Sequence, residues 1–199
     1  MISRTPQPAR FPRKTCVTAL RTTRLADVAI RPVRESDAQA IAAIYDWHVA
    51  NGTATFDTVA PNAAAWADKI TDFVARRYPF LVAERARESG SGVVAYAYAA
   101  RFRDRAAYAH TCEDSIYVAH DARGGGIGTA LLAALIDTAR ASGFQQMIAV
   151  IGGGEPASVA LHGKCGFVHA GRMRNVGYKF GRLLDTVYMQ RDLREEDTP

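Results

Sequence analysis

The chain has 199 residues, 48% of them hydrophobic, and a formal net charge of +5. That length suits one domain with a substantial core, or one domain and a tail, and no apolar run approaches the ~20 residues that a membrane-spanning helix needs. The excess charge is confined to the start: residues 1–26 carry six basic side chains and no acidic one, which leaves −1 for the remainder and no basis for nucleic-acid binding by the folded part.

In chain order, residues 1–26 contain Pro6, Pro8 and Pro12, show no hydrophobic period, and read as a basic flexible tail. Their composition resembles that of an organellar transit peptide, and a mis-assigned start codon would look similar. Cys16, Cys112 and Cys165 are odd in number and lack metal-ligand spacing, which predicts a reduced, cytoplasmic chain with no metal. Residues 28–34 predict a first strand, with Pro32 at an edge or near its end. Ser36 is a candidate N-cap for a helix whose stripe is Ala40, Ile41, Ile44, Tyr45 and Val49, closed by Asn51-Gly52. Residues 53–57 are extended or irregular. A second helix is predicted over 61–77, with Trp66, Ile70, Phe73 and Val74 on one face.

Strands follow at 80–84, 93–102 and 109–118. A helix over 127–140 places Ile127, Leu131, Leu135 and Ile136 on one face. Next come an apolar strand at 147–151, a short helix at 156–165, and a closing hairpin of 171–178 and 185–190. The order β-α-α-β-β-β-α-β-α-β-β predicts an α/β (α+β) domain over 27–193, with 194–199 as a C-terminal tail. Its sheet should be mixed, antiparallel at the start, with a parallel crossover after the fourth strand.

The stretch Arg123-Gly124-Gly125-Gly126-Ile127-Gly128 joins that fourth strand to the next helix. Glycines there let backbone N–H groups approach a ligand, and the helix N-terminus favours an anion such as a pyrophosphate. No lysine follows Gly128, which excludes a P-loop. Thr129 and Leu131 stand where a dinucleotide fingerprint requires Gly or Ala. What remains is Arg-x-x-Gly-x-Gly, at the carboxyl end of a strand, where α/β sheets bind ligands.

This loop in this order of elements resembles the GNAT superfamily of acetyl-CoA-dependent N-acetyltransferases. A closer resemblance is to its phosphinothricin acetyltransferase group. It is carried by Tyr96-Ala97-Tyr98-Ala99, by Arg105, Tyr108, Thr111, Glu113, Ser115 and Tyr117-Val118, by Ser158 to His162, by Cys165-Gly166-Phe167, and by Gly177-Tyr178-Lys179. The resemblance covers residues 28–193. It implies the GNAT fold, a mostly antiparallel sheet of about seven strands with about four helices, splayed between the fourth and fifth strands.

It also implies a set of roles. Backbone groups of Ile116, Tyr117 and Val118 pair with the pantetheine arm of acetyl-CoA, and the Val118 N–H stabilises the oxyanion. The N–H groups from Arg123 through Gly124, Gly125, Gly126, Ile127, Gly128 and Thr129 hold the pyrophosphate, with Glu155 and Ser158 near it. Glu113 is the base that deprotonates the amine, with His162 beside it as a second catalytic group. Phe56, Phe102, Arg105, Tyr108 and Thr111 bind the acceptor. The implied reaction is direct acetyl transfer to an amino-acid-like small molecule, by a homodimer. A protein lysine or N-terminal acetyltransferase and a non-catalytic CoA sensor are the alternatives. One departure stands out: Glu155 occupies a position where the group has Asn, and its charge is unfavourable beside a diphosphate.

Overall fold

The computed structural model describes residues 27–87 and 90–194, so the segment 1–26 read as a tail, and residues 195–199, lie outside the described residues. Seven strands form one sheet: β1 (Val28–Pro32), β2 (Phe80–Arg87), β3 (Gly90–Arg101), β4 (Thr111–Val118), β5 (Gln146–Gly152), β6 (Val168–Lys179) and β7 (Arg182–Asp192). Their spatial order is β1-β2-β3-β4-β5-β7-β6. Four helices flank them: α1 (Ala38–Asn51), α2 (Ala63–Ala75), α3 (Ile127–Ala141) and α4 (Pro156–Lys164).

Strand alternation divides the core in two. Leu81, Ala83, Ala95, Ala97 and Ala99 point to one face, where they meet Leu131, Leu132, Leu135 and Ile136 of α3. Phe80, Val82 and Tyr96 point to the other and meet Ile41, Tyr45 and Val49 of α1 and Trp66, Ile70 and Phe73 of α2. Aromatic rings fill this second layer: Tyr45 is edge-on to both Trp66 and Tyr117, and Tyr96 stacks on Tyr117 with centroids 5.4 Å apart.

One pairing sets the site. Every neighbouring pair of strands is antiparallel except β4–β5, which is parallel. That ladder runs from Thr111 opposite Gln146 to Asp114 opposite Ala149 and stops there. Beyond it, Ser115–Val118 remain paired to β3, while Val150, Ile151 and Gly152 remain paired to β7. A gap therefore opens between the carboxyl halves of β4 and β5, as the resemblance implies.

Element order matches the sequence reading; several local details differ. Ser36 is not the N-cap of α1. It lies inside a 3-10 turn, Glu35–Asp37, and the Arg34 N–H donates to Asp37 Oδ2 at 2.8 Å, so the acidic residue closes the turn that Ser36 was expected to cap. In α2, Asn62 is the cap, accepting from the Ala65 N–H at 2.9 Å, and Val74 is exposed because it falls one position round the helix from the buried Phe73. β6 is longer than the sequence pattern predicts, since its exposed residues carry no alternation to mark its ends.

Asp37 also ties β1 to the helical layer. Arg31 donates to both carboxylate oxygens of Asp37, at 2.8 and 2.9 Å, and through Nε to Glu84 on β2 at 2.7 Å. Burial opposes the charge on Asp37, but these hydrogen bonds outweigh it and hold its pKa below the ordinary value. A carboxylate with a depressed folded pKa contributes stability above its unfolded pKa, and that contribution is lost as pH falls through the folded value. Asp37→Asn should therefore lower unfolding free energy at pH 7 by about 1–3 kcal/mol, because it leaves part of the Arg31 charge unpaired. Urea unfolding at a series of pH values should show the difference from wild type closing below pH ~4.

Candidate active site

Backbone direction along β4 follows from its hydrogen bonds. Thr111 O accepts from Phe102 N on the β3 side, and Ala119 N donates to Val94 O on that same side. His110 O accepts from Gln145 N and Gln146 N on the β5 side. Since successive residues of a strand alternate in this respect, the N–H and C=O groups of Ile116 and Val118 point toward β5. No β5 residue pairs with them. The backbone of Tyr117 points the other way, to Tyr96 on β3. Of the three residues expected to pair with a pantetheine arm, Ile116 offers its N–H and C=O to the gap and Val118 its N–H alone, because the Val118 carbonyl lies 3.0 Å from His48 Nε2 of α1; Tyr117 offers none.

The glycine loop lies just beyond. Gly126 caps α3 at φ 82°, with no side-chain cap, and its carbonyl accepts the first intrahelical bond, from Ala130 N. The N–H groups of Ile127, Gly128 and Thr129 thus have no intrahelical partner. A Cβ built on Gly124 or Gly125 would meet nothing within 4 Å, so this cradle is open on its outer side. Gly128 is different, because a Cβ there would touch Leu161 of α4 at 3.4 Å and Val118 at 3.6 Å. It lets α3 pack close to the end of β4. The guanidinium of Arg123 lies over the Trp47 ring of α1, 4.8 Å from its centroid, at the rim of the loop. Together the free backbone donors, the helix N-terminus and the gap suit the diphosphate and extended amide arm of acetyl-CoA.

Side-chain alternation sorts the ionisable groups. Glu113 lies opposite Ala100, with Ser115 opposite Tyr98 and Tyr117 opposite Tyr96, on the face covered by α1 and α2. Asp114 points to the face of α4, where Oδ2 is 3.1 Å from His162 Nε2. Glu113 and His162 therefore project from opposite faces of the sheet, though both line the same cleft, and the partner of His162 is Asp114.

His162 is 2% exposed, and its Nδ1 is 2.7 Å from the Ser158 carbonyl, an acceptor only, so Nδ1 carries a proton. Burial lowers the pKa of His162, but the hydrogen bond and charge of Asp114 outweigh it and the net shift is upward. The other ring nitrogen, Nε2, faces Asp114, so both nitrogens of His162 are engaged by partners within the protein. α4 begins at Pro156, where the sequence reading placed it. Glu155 is its N-cap residue but makes no side-chain cap bond, and Pro156 follows at the first turn.

Glu113, Asp114, Ser115, Ile116 and Tyr117 line one cleft of about 230 Å³ together with Ala149 to Gly152, Ser158, His162 and Thr186. Ala54, Thr55 and Phe56, from the segment between α1 and α2, close its other side. Glu113 is half-buried. Burial and, secondarily, the Asp114 carboxylate raise its pKa, against a smaller lowering by Arg103.

The remaining acceptor candidates are elsewhere. Arg105 and Tyr108 line a separate surface hollow with Arg103 and Asp104, and Phe102 is edge-on to Tyr108. Thr111 is buried at the start of β4. Sequence reading missed Asp114, Arg103 and Thr186. Asp114 had a signal, since a second carboxylate beside Glu113 must occupy the opposite face of the strand. Thr186 had none. Among the described residues no group of His, Cys, Asp and Glu could hold a metal ion, and no helix is long and apolar enough to cross a membrane.

Comparison with known proteins agrees with this geometry. Residues 30–188 match the acetyltransferase (GNAT) domain family. Phosphinothricin N-acetyltransferase of Alcaligenes faecalis is 45% identical over 170 residues, which cover 85% of this chain and 84% of that protein. The L-methionine sulfoximine/L-methionine sulfone acetyltransferase of Pseudomonas aeruginosa is 39% identical, over 83% of this chain and 94% of its own length. Among solved structures, a phosphinothricin acetyltransferase from Sinorhizobium meliloti in complex with AcCoA superposes with a TM-score of 0.80 at 44% identity, over 87% of this chain and 92% of that one. With its splayed β4–β5 pair and its open glycine cradle, the chain belongs to the GNAT family and is an acetyl-CoA-dependent N-acetyltransferase.

Proposed function

We propose that the chain acetylates the primary amine of amino-acid-like small molecules, of which phosphinothricin and methionine sulfone or sulfoximine are the first to test. The observation that carries this reading is a desolvated carboxyl, Glu113, facing a small cleft that Ile116 also lines, on the strand whose Val118 N–H has no partner on β5. Acetyl-CoA supplies the activated acetyl group. Ile116 and Val118 hold its amide arm, and the donors from Arg123 to Thr129, with the Arg123 charge, hold its diphosphate. An ammonium must lose a proton before it can attack, and Glu113, with its pKa moved up toward neutrality, accepts that proton directly or through water. The Val118 N–H donates to the thioester oxygen as the C–N bond forms and negative charge builds there; the C–S bond then breaks, and coenzyme A leaves as a thiolate that takes up the second proton lost by the amine. The relatives' names, which specify small amino-acid analogues, support a closed acceptor pocket.

Arg105 and Tyr108, with Phe102, are the acceptor's carboxylate-side contacts in this reading, linked to the cleft through the neighbouring Arg103. A homodimer fits the exposed apolar side chains Val168, Val176, Tyr178, Phe180 and Leu183 on β6, β7 and their turn, at a sheet edge that no other strand covers. Buried Cys112 and Cys165 thiols support a reducing, cytoplasmic setting.

Thiol release from acetyl-CoA with a panel of amino acids and their analogues tests the function. Turnover of at least one small amine is expected; turnover only of peptides, or of nothing, would sink the reading. Equilibrium sedimentation should give twice the chain mass.

Glu113→Gln should reduce kcat/KM by about 10²–10⁴-fold. In wild type the low-pH limb of the kcat/KM profile should lie above the ordinary glutamate range, because the shift is upward, and in the Gln variant that limb should vanish. Glu155→Asn should add about 0.5–1 kcal/mol of stability through a true N-cap. The same variant should tighten acetyl-CoA binding, measured by calorimetry, since it removes a carboxylate from a helix N-terminus beside the diphosphate.

A further inference from the structure

The segment Gly52–Asp57 contributes Ala54, Thr55 and Phe56 to the cleft, yet it belongs to no helix or strand. Such a segment needs external fastening to hold a fixed wall. The fastening comes from α1 and from β6, at opposite ends of the chain. On the α1 side, Tyr45 Oη is 2.7 Å from Thr55 Oγ1 and donates to Asp57 Oδ2 at 2.7 Å. On the other side, Lys179 Nζ donates to the carbonyls of Gly52 and Thr55, each at 2.9 Å.

Lys179 is 5% exposed, the last residue of an edge strand in which only it and Gly177 are buried. Its neighbour two positions earlier, Gly177, faces the same segment. A Cβ at Gly177 would overlap the Phe56 ring. A Cβ at Gly152, on β5, would meet the Thr53 carbonyl at 2.7 Å and the Phe56 ring at 3.1 Å. Two glycines thus make room for Phe56, while one lysine neutralises two carbonyls that have no place in any ladder. The burial of an ammonium is costly, and lowering of its pKa is the trace of that cost. Two hydrogen bonds to adjoining carbonyls offset it only while the segment keeps its present shape.

We infer that Lys179 is a positioning residue for the acceptor: through the Gly52 and Thr55 carbonyls it fixes Phe56 and Thr55 as the wall against which the amine-bearing molecule is oriented over Glu113. This inference rests on the acetyl-transfer reading for its kinetic part, but the clasp itself does not.

Two measurements separate them. Hydrogen–deuterium exchange on the purified full chain should show residues 53–57 exchanging about tenfold or more faster in Lys179→Met than in wild type, with β4 and α3 unchanged. Steady-state kinetics with an accepted amino acid should show KM for the acceptor raised about tenfold, with the Kd for acetyl-CoA unchanged within twofold. Gly177→Ala, which displaces Phe56 and leaves the lysine in place, should raise the same KM without freeing the Lys179 bonds. If Lys179→Met does not fold, Lys179→Gln keeps an amide N–H donor group but loses the charge and length of the ammonium, and serves for both measurements.

Unchanged exchange in 53–57 would overturn the clasp. Faster exchange with an unchanged acceptor KM, or with acetyl-CoA affinity falling equally, would overturn the positioning role and leave a structural one. Should wild type acetylate no amine, the functional reading fails while the exchange experiment still decides whether Lys179 holds the segment.

Discussion

The ladder between β4 and β5 ends at Asp114 and Ala149, and the chemistry depends on that ending. A sheet normally satisfies every backbone group of its interior strands, and an interior strand with free N–H groups carries a cost unless a ligand supplies the missing partners. Here Ile116 and the Val118 N–H are interior by position and open by pairing, while the Val118 carbonyl is met by His48. The open stretch is held from behind by β3 and continues into the glycine loop, so the free donors of the strand and those of the α3 N-terminus lie along one path. An extended amide arm ending in a diphosphate has the acceptors and the length for both.

Because strand residues alternate, the same short stretch of β4 does two other things at once. Its odd-numbered side chains, Glu113 and Ser115, face the α1–α2 layer and the irregular segment that contains Phe56. Its even-numbered ones, Asp114 and Ile116, face α4. The two carboxyls are adjacent in sequence and are kept chemically apart. One is desolvated, with a raised pKa, and faces the cleft. The other is consumed by His162, whose ring is in turn locked to the Ser158 carbonyl. Burial is the larger cause of the raised Glu113 pKa, and the Asp114 carboxylate on the far face adds to it.

The fold and the glycine turn before α3 were legible in the sequence because their signals are local. Positive φ at Gly124 and Gly126 demands glycine, and the apolar stripe of α3 follows the loop directly. Alternation in 109–118 marks a strand. The acceptor half was less legible. The Asp114–His162 contact spans 48 positions, and the Lys179 contacts span more than 120. Neither leaves a periodic trace. Ser36 misled because a good cap residue sits where an acidic neighbour does the capping, and Val74 misled because a helical stripe has soft edges. The resemblance named Gly177 and Lys179 without a reason; their contacts with Phe56, Gly52 and Thr55 supply one.

The alternation of β4 has a consequence for how such an enzyme can change. In the proposed reading, the groups that hold the acetyl donor are, apart from the Arg123 side chain, backbone groups indifferent to which side chain a codon specifies, whereas those that meet the acceptor are side chains. Mutation can therefore retune acceptor preference in small steps while donor recognition stays constant. Insertion or deletion of one residue in β4 would instead exchange the two faces and disable both at once. The strand tolerates substitution as a means of diversification and forbids length change, an asymmetry that follows from its two-residue repeat alone.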